Sequence, residues 1–233
     1  MKINGSVALV TGASRGLGRA LAEGLLAAGA RKVYAAARDP SRVSLPGAVP
    51  VRMDITNETE VAAAARDLGD VMLLVNNAGI AQRSPFLRDD AMGLAREQLE
   101  TNFFGTLAVS QHFAPVLKSN GGGALVNILS VLSWINMPVM SGYCASKAAT
   151  WSLTNGLRNE LREQGTLVVG VHAAFIDTDM VRGVDVPKTS PEAVVKQILE
   201  ALEAGQEEVF ADAITRSVKA GLSAPAAPYL RPA

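Results

Sequence analysis

Residues 6–18 read "SVALVTGASRGLG", a short β-branched apolar run that ends in three glycines, Gly12, Gly16 and Gly18, and passes at once into the alanine- and leucine-rich segment "LGRALAEGLLAAG" (17–29). A run that is apolar at nearly every position fits a strand covered on both faces. The segment after it has the residue types and spacing of a helix. A strand that enters a helix through glycines lets the backbone approach a ligand closely, and free N–H groups and the helix dipole there favour an anion such as a pyrophosphate. Three glycines occur in many loops; their place between strand and helix is what points to a dinucleotide. The candidate contacts are Gly12, Ser14, Arg15, Gly16, Leu17 and Gly18.

The same alternation runs down the chain. Further strand-like runs are "KVYAAA" (32–37), "VPVRM" (49–53), "VMLLVN" (71–76), "ALVNIL" (124–129) and "TLVVGV" (166–171). Between them lie "ETEVAAAARDLG" (58–69), a long stretch from about 86 to 118, and "GYCASKAATWSLTNGLRNELREQG" (142–165), all with helical spacing. Such βαβ alternation implies an α/β fold, a doubly wound parallel sheet with right-handed crossovers and helices on both faces, whose ligands bind beyond the carboxyl ends of the strands. No linker precedes residue 186 and no repeat is evident, so 1–233 reads as a single domain. The proline- and alanine-rich "SAPAAPYLRPA" (223–233) reads as a C-terminal arm.

Composition narrows the function. With 48% hydrophobic and 19% charged residues over 233 positions, the chain can bury a substantial core. Lysine plus arginine balance aspartate plus glutamate at 22 each, which leaves no global field for nucleic acid or an acidic membrane. The single Cys144 excludes an intramolecular disulfide, and with only His112 and His172 there is no Cys/His cluster for a metal. The apolar region 125–140 is interrupted by Asn127, Ser130, Ser133 and Asn136, and the N-terminus lacks a signal-peptide layout. The expectation is a soluble cytoplasmic protein with no metal.

Two local patterns carry chemistry. An NAD-preferring dinucleotide fold carries an acidic side chain about 20 residues beyond the glycines for the ribose 2′-hydroxyl. Here that place is the apolar Ala37, followed by Arg38, and Arg15 sits in the glycine turn. Two guanidinium groups could flank a 2′-phosphate, which favours NADP(H); the alternative is that both are solvated surface charges. The second pattern is "SGYCASKAAT" (141–150). Helical spacing puts Tyr143 and Lys147 on one face, roughly 5–6 Å apart at Cβ. A cation about 5 Å away at an effective dielectric of about 20 stabilises phenolate by roughly 3 kcal/mol, which lowers the phenol pKa by about two units. Taken alone, the pair is also what an ordinary exposed helix face carries.

With "TGASRGLG", "NNAG" (76–79), "TNFFGT" (101–106), Ser130 and "YCASK" (143–147) in this order, the chain resembles the short-chain dehydrogenase/reductase family over about residues 5–212. The serine thirteen positions before the tyrosine matches that family's spacing. The resemblance implies a Rossmann-like sheet of about seven strands and a catalytic set of Asn102, Ser130, Tyr143 and Lys147. By it, Tyr143 is the acid/base, Lys147 lowers its pKa and bonds the nicotinamide ribose, Ser130 bonds the substrate oxygen, and Asn102 holds a water linking Lys147 to solvent. Asp54 and Ile55 should frame the adenine. Asn76, Asn77, Ala78 and Gly79 should lie at the cofactor, and Ile176 and Thr178 should touch the carboxamide and phosphates. The family commonly pairs its long helices into homodimers or homotetramers.

The implied activity is NADPH-dependent reduction of an apolar ketone or aldehyde, or the reverse alcohol oxidation. An NAD-linked alcohol dehydrogenase is the alternative that Ala37 argues against, and a non-catalytic NADP-binding module would show a broken catalytic set. One departure stands out: Ala173 and Ala174 replace the family's proline-glycine pair after the sixth strand. The substrate loop is short, 179–190, before Ser190 caps a helix that starts at Pro191, which implies an open site. Trp134, Met140 and Phe175 flank the catalytic residues as pocket candidates, and such side chains are equally expected in a core.

Overall fold

The computed structural model describes residues 1–230. Seven parallel strands form one sheet: β1 (Val7–Thr11), β2 (Lys32–Ala37), β3 (Ala48–Arg52), β4 (Leu73–Asn76), β5 (Ala124–Ile128), β6 (Leu167–His172) and β7 (Glu208–Phe210), in the order β3-β2-β1-β4-β5-β6-β7. The expected doubly wound sheet is observed. Its seventh strand, only three residues long, was not among the runs read from the sequence. Pro50 is tolerated in β3 because that strand is an edge, where one missing N–H interrupts no second ladder.

Alternate residues of each strand feed two cores. Ala8 and Val10 of β1, Val126 of β5 and Val169 of β6 pack with α1 (Gly16–Ala27) and α6 (Pro191–Ala204) through Leu21, Leu25, Ile198 and Leu202. Val7, Leu9, Leu125 and Val168 face the other way, onto α2 (Glu58–Asp67), α4 (Thr106–Ser119) and α5 (Ser141–Glu160) through Val61, Phe113 and Leu157. Burial on both faces is why these strands read as continuous apolar runs. Ser190 caps α6 as expected, its hydroxyl accepting from the Ala193 N–H at 3.2 Å.

The long helical stretch is not one helix. α3 (Ala91–Leu99) runs into a π-helical turn, Glu100–Gly105, and then α4. The remaining helix, α7 (Ala213–Gly221), leads into the terminal segment, where Ala227 is fully buried and Pro228 packs at Gly221. Within the expected arm, residues 223–226 are exposed and Ala227 is buried; residues 231–233 lie outside the described residues. The sheet order reverses between β1 and β4, and the crevice at their carboxyl ends is where such folds bind ligands.

Candidate active site

A cavity of about 770 Å³ opens at the carboxyl ends of the strands, lined by Gly12 after β1, Arg38 after β2, Asn77 after β4, Ser130 after β5 and Ala173 after β6. Ser14, Arg15, Gly16, Leu17 and Gly18 form one wall. Gly12 has φ +66°, and a Cβ on it would lie 2.9 Å from Ala78 Cα; a Cβ on Gly18 would lie 2.3 Å from the Gly12 carbonyl oxygen. Only hydrogen fits at either place, so the turn closes tightly against "NNAG". Arg15 occupies the N-cap position of α1 and no side chain among the described residues caps that helix, in contrast to Ser190 on α6. The first-turn N–H groups are thus left for a ligand, which fits a pyrophosphate.

The end of β2 fits the rest of an NADP-type cofactor. Ala37 is buried where an acid would bond a 2′-hydroxyl, and Arg38 lines the cavity with no ion pair among the described residues. The nearest acid, Asp39, is occupied: its carboxylate accepts from the Ser41 hydroxyl at 2.6 Å and the Ser41 N–H at 3.1 Å, and those bonds hold its pKa below the usual range. Arg15 is shared with Asp179, 3.5 Å away. Asp54 and Ile55 line the opposite wall, as do Asn77, Ala78 and Gly79, with the Asn77 amide donating to the Thr11 carbonyl at 2.9 Å. Asn76 does not line the cavity. It is buried in the sheet, where its amide donates to Ser110 Oγ and Asn127 Oδ1, so its expected cofactor contact is replaced by a structural one.

The catalytic candidates converge on the same cavity. Ser130 closes β5 in extended backbone, and α5 carries Tyr143 and Lys147 one turn apart, all three lining the cleft. Lys147 Nζ lies 5.8 Å from the Tyr143 ring centroid and donates to the Ile128 carbonyl at 2.8 Å. The expected fall in the phenol pKa is reversed. Burial pushes Tyr143 up to about 12, against the pull of the facing Ser130 hydroxyl, and the same burial pushes Lys147 down to about 8. Desolvation, which disfavours phenolate and ammonium alike, drives both shifts.

Asn102 lies in the π-helical turn, fully inside the protein. Its side chain accepts from the Ile80 N–H at 2.8 Å and donates to the Ile80 carbonyl at 2.9 Å and to Ser146 Oγ at 2.9 Å. Its own carbonyl accepts the hydroxyls of Thr106 and Thr150. The main-chain carbonyl thus has both lone pairs taken, and the side chain clamps the segment after Gly79. That clamp is extended by groups the sequence did not single out. Gln98 accepts from the Gln82 N–H at 3.0 Å and donates to Ser84 Oγ at 2.8 Å, while the Ser84 carbonyl takes the N–H of Gly142, next to Tyr143. The Gln82 side chain lines the cleft, and its buried Oε1 has no partner among the described residues.

On the remaining wall, Ile176 and Thr178 line the cavity, and the base of loop 179–190 is pinned by the Asp177 N–H donating to the Thr189 carbonyl at 2.9 Å and the Thr189 N–H donating to the Phe175 carbonyl at 2.8 Å. The Ala173–Ala174 departure is accommodated without positive φ. Ala174 uses its N–H to donate to Asp212 Oδ2 at 2.7 Å, and Asp212 also caps α7 through Thr215. None of the pocket candidates Trp134, Met140 and Phe175 lines the cavity. Trp134 turns away from it and stacks on His172, ring centroids 4.0 Å apart.

Comparison with known proteins agrees with this geometry. The family model described as short chain dehydrogenase matches residues 6–188. Gluconate 5-dehydrogenase of Gluconobacter oxydans is 34% identical over 193 residues, covering 76% of this chain and 74% of the relative. The 7alpha-hydroxysteroid dehydrogenase of Escherichia coli is 34% identical over 200 residues, covering 81% and 78%. A solved short chain dehydrogenase from Burkholderia cenocepacia, in complex with NADP, superposes with a TM-score of 0.92 at 45% identity over 97% of this chain and 95% of that one. Fold, cleft and family match together place this chain in the short chain dehydrogenase family of oxidoreductases.

Proposed function

We propose that this protein is an NADPH-dependent carbonyl reductase acting on a small or medium-sized ketone or aldehyde with an apolar body. The carrying observation is that Ser130, Tyr143 and Lys147 line one cavity with Arg38 and the uncapped start of α1. When bound, the nicotinamide supplies hydride to the carbonyl carbon. Tyr143 delivers its proton to the carbonyl oxygen while the Ser130 hydroxyl donates to the same oxygen as charge develops there. The phenol is protonated at neutral pH, the form in which it can give a proton to a carbonyl oxygen, and burial raises its pKa further. Lys147 holds positive charge behind the phenol and bonds the ribose; Asn102 and Gln98 keep the adjoining wall in place. Ile80, Ala81, Met180 and Val181 give the substrate end an apolar lining with Gln82 as its uncommitted polar group. The named relatives act, by their names, on a sugar acid and on a steroid, and the apolar lining favours a substrate with an apolar body over a sugar acid.

Following loss of reduced-nicotinamide absorbance with a graded panel of ketones, and with NADPH and NADH in turn, tests the proposal. Turnover with NADPH in excess of NADH is expected; no turnover with either would favour a binding module. Arg38→Ala should weaken NADPH by about 1.5–3 kcal/mol, the range for a hydrogen bond to a charged group, and leave NADH unchanged. Equal loss for both cofactors, measured by titration, would make Arg38 a structural residue.

The pH profile follows from the two shifted groups. Tyr143 stays protonated until about 12, and Lys147 stays charged only below about 8. The reductive kcat/KM should therefore be level approaching pH 8 from below and fall above it, as the cation is lost well before the phenol ionises. A profile level through pH 10 would show that the Lys147 charge plays no part.

A further inference from the structure

His172, the last residue of β6, is fully buried and has no place in the mechanism above. Its Nδ1 lies 3.2 Å from the Ser130 carbonyl oxygen. A carbonyl only accepts, so the proton of this bond sits on Nδ1. The ring is held flat by Trp134, stacked at 4.0 Å with 23° between planes, and by Phe210 at 6.0 Å. Its Nε2 has no hydrogen-bond partner among the described residues, and the nearest carboxylate oxygen, Glu208 Oε1, is 3.9 Å off. Burying an imidazole with one nitrogen unpaired costs stability that an apolar side chain of similar size would not. Packing alone therefore gives no reason for a histidine here.

The bond it makes supplies a reason. The peptide joining Ser130 to Val131 has two polar groups, and both are held: the Ser130 carbonyl accepts from the His172 ring at 3.2 Å and from the Ser133 N–H at 3.0 Å, and the Ala173 carbonyl takes the Val131 N–H at 2.9 Å. With both ends held, that peptide plane cannot rotate, and the Cα bearing the Ser130 hydroxyl is fixed with it. We propose that His172 is a positioning residue, whose Nδ1–H sets the peptide plane from which Ser130 reaches the substrate oxygen. This rests on the reading of Ser130 given above and extends it to a residue outside the cavity. The surroundings keep the ring in the form required. Burial pushes its pKa down to about 4, and Lys219 of α7 with Arg158 and Lys147 of α5 adds positive charge around it, while Glu208 of β7 is the facing carboxylate. At neutral pH the ring is uncharged and donates from Nδ1.

The test uses the whole enzyme, NADPH and a ketone turned over by the wild type. His172→Asn places an N–H near the position of Nδ1, whereas His172→Leu offers none, and His172→Gln, which carries its N–H too far out, takes the place of leucine in every comparison should that variant not fold. The asparagine variant should keep kcat within about twofold of wild type. The leucine variant should lose about tenfold to a hundredfold in kcat, as a misplaced reacting group does, with NADPH affinity unchanged by fluorescence titration. Ser130→Ala, measured alongside, should lose activity on its own, and adding His172→Leu to it should cost nothing more, because His172 acts through that hydroxyl. Wild-type kcat in the leucine variant, equal loss in the asparagine and leucine variants, or a full further loss in the Ser130→Ala background would each overturn the positioning role. Full activity of Ser130→Ala alone would instead overturn the reading of Ser130 itself, and the inference with it.

Discussion

Replacing Tyr143 by phenylalanine is expected to lower turnover by about 10²–10⁴-fold, the contribution general acid catalysis makes, while NADPH binding stays nearly intact. The phenyl ring keeps the packing of α5 against the cleft, so the loss isolates one proton. The phenol has no rival for that role. Lys147 is committed to the Ile128 carbonyl, the Ser130 hydroxyl is too weak an acid to give up its proton outright, and Cys144 is buried with its thiol pushed up by desolvation. Single-turnover reduction followed by nicotinamide absorbance, with cofactor affinity from a separate titration, checks this. A variant that retained half the wild-type rate would remove Tyr143 from the mechanism.

Gly18→Ala should be a strongly damaging single-methyl addition at the cleft. Its Cβ would meet the Gly12 carbonyl oxygen at 2.3 Å and Asn77 Nδ2 at 2.4 Å, and the first of these is backbone that cannot swing aside. The start of α1 must move away from β1, which should cost about 1–3 kcal/mol of stability, the range for overpacking, and weaken NADPH by about tenfold or more as the N–H groups leave the pyrophosphate. Gly156→Ala is the matched control: it lies within α5 with nothing within 4 Å of the added carbon, and should gain roughly 0.5–1 kcal/mol. Chemical denaturation and NADPH titration of the two variants side by side check both signs. Unchanged stability and binding in Gly18→Ala would mean that the close approach is not required.

Much of this was legible in the chain because the relevant physics is local. Strands buried on both faces announce themselves as apolar runs, and each of the six runs read from the sequence is a strand with its ends moved by no more than two residues. The Tyr143–Lys147 spacing needs only helix geometry, and Ala37 followed by Arg38 needs only a count from the glycines. What escaped depends on contacts between distant segments. The three residues of β7 are too few to show a period. The π-helical turn keeps the composition of a helix and differs only in which carbonyl each N–H meets. The direction of the phenol shift turns on burial, which no spacing reveals. Trp134 was placed at the pocket by its nearness to Ser130 in sequence, but a side chain four residues along can point to the opposite side, as this one does towards His172.

The bond from Ala174 to Asp212 has a consequence for how the chain acquires its shape. The side chains that line the cavity all come from residues up to Val181, so a chain still being synthesised possesses the full set once that point has emerged. The Asp212 carboxylate that holds the backbone after β6 comes thirty-eight residues later than the amide it accepts from, behind the whole of α6 and β7. Domains generally fold as units, so the wall bearing Ala173 and Ala174 is fastened only once Asp212 has been made. A nascent chain can thus hold every side chain that lines the cleft and still lack the cleft.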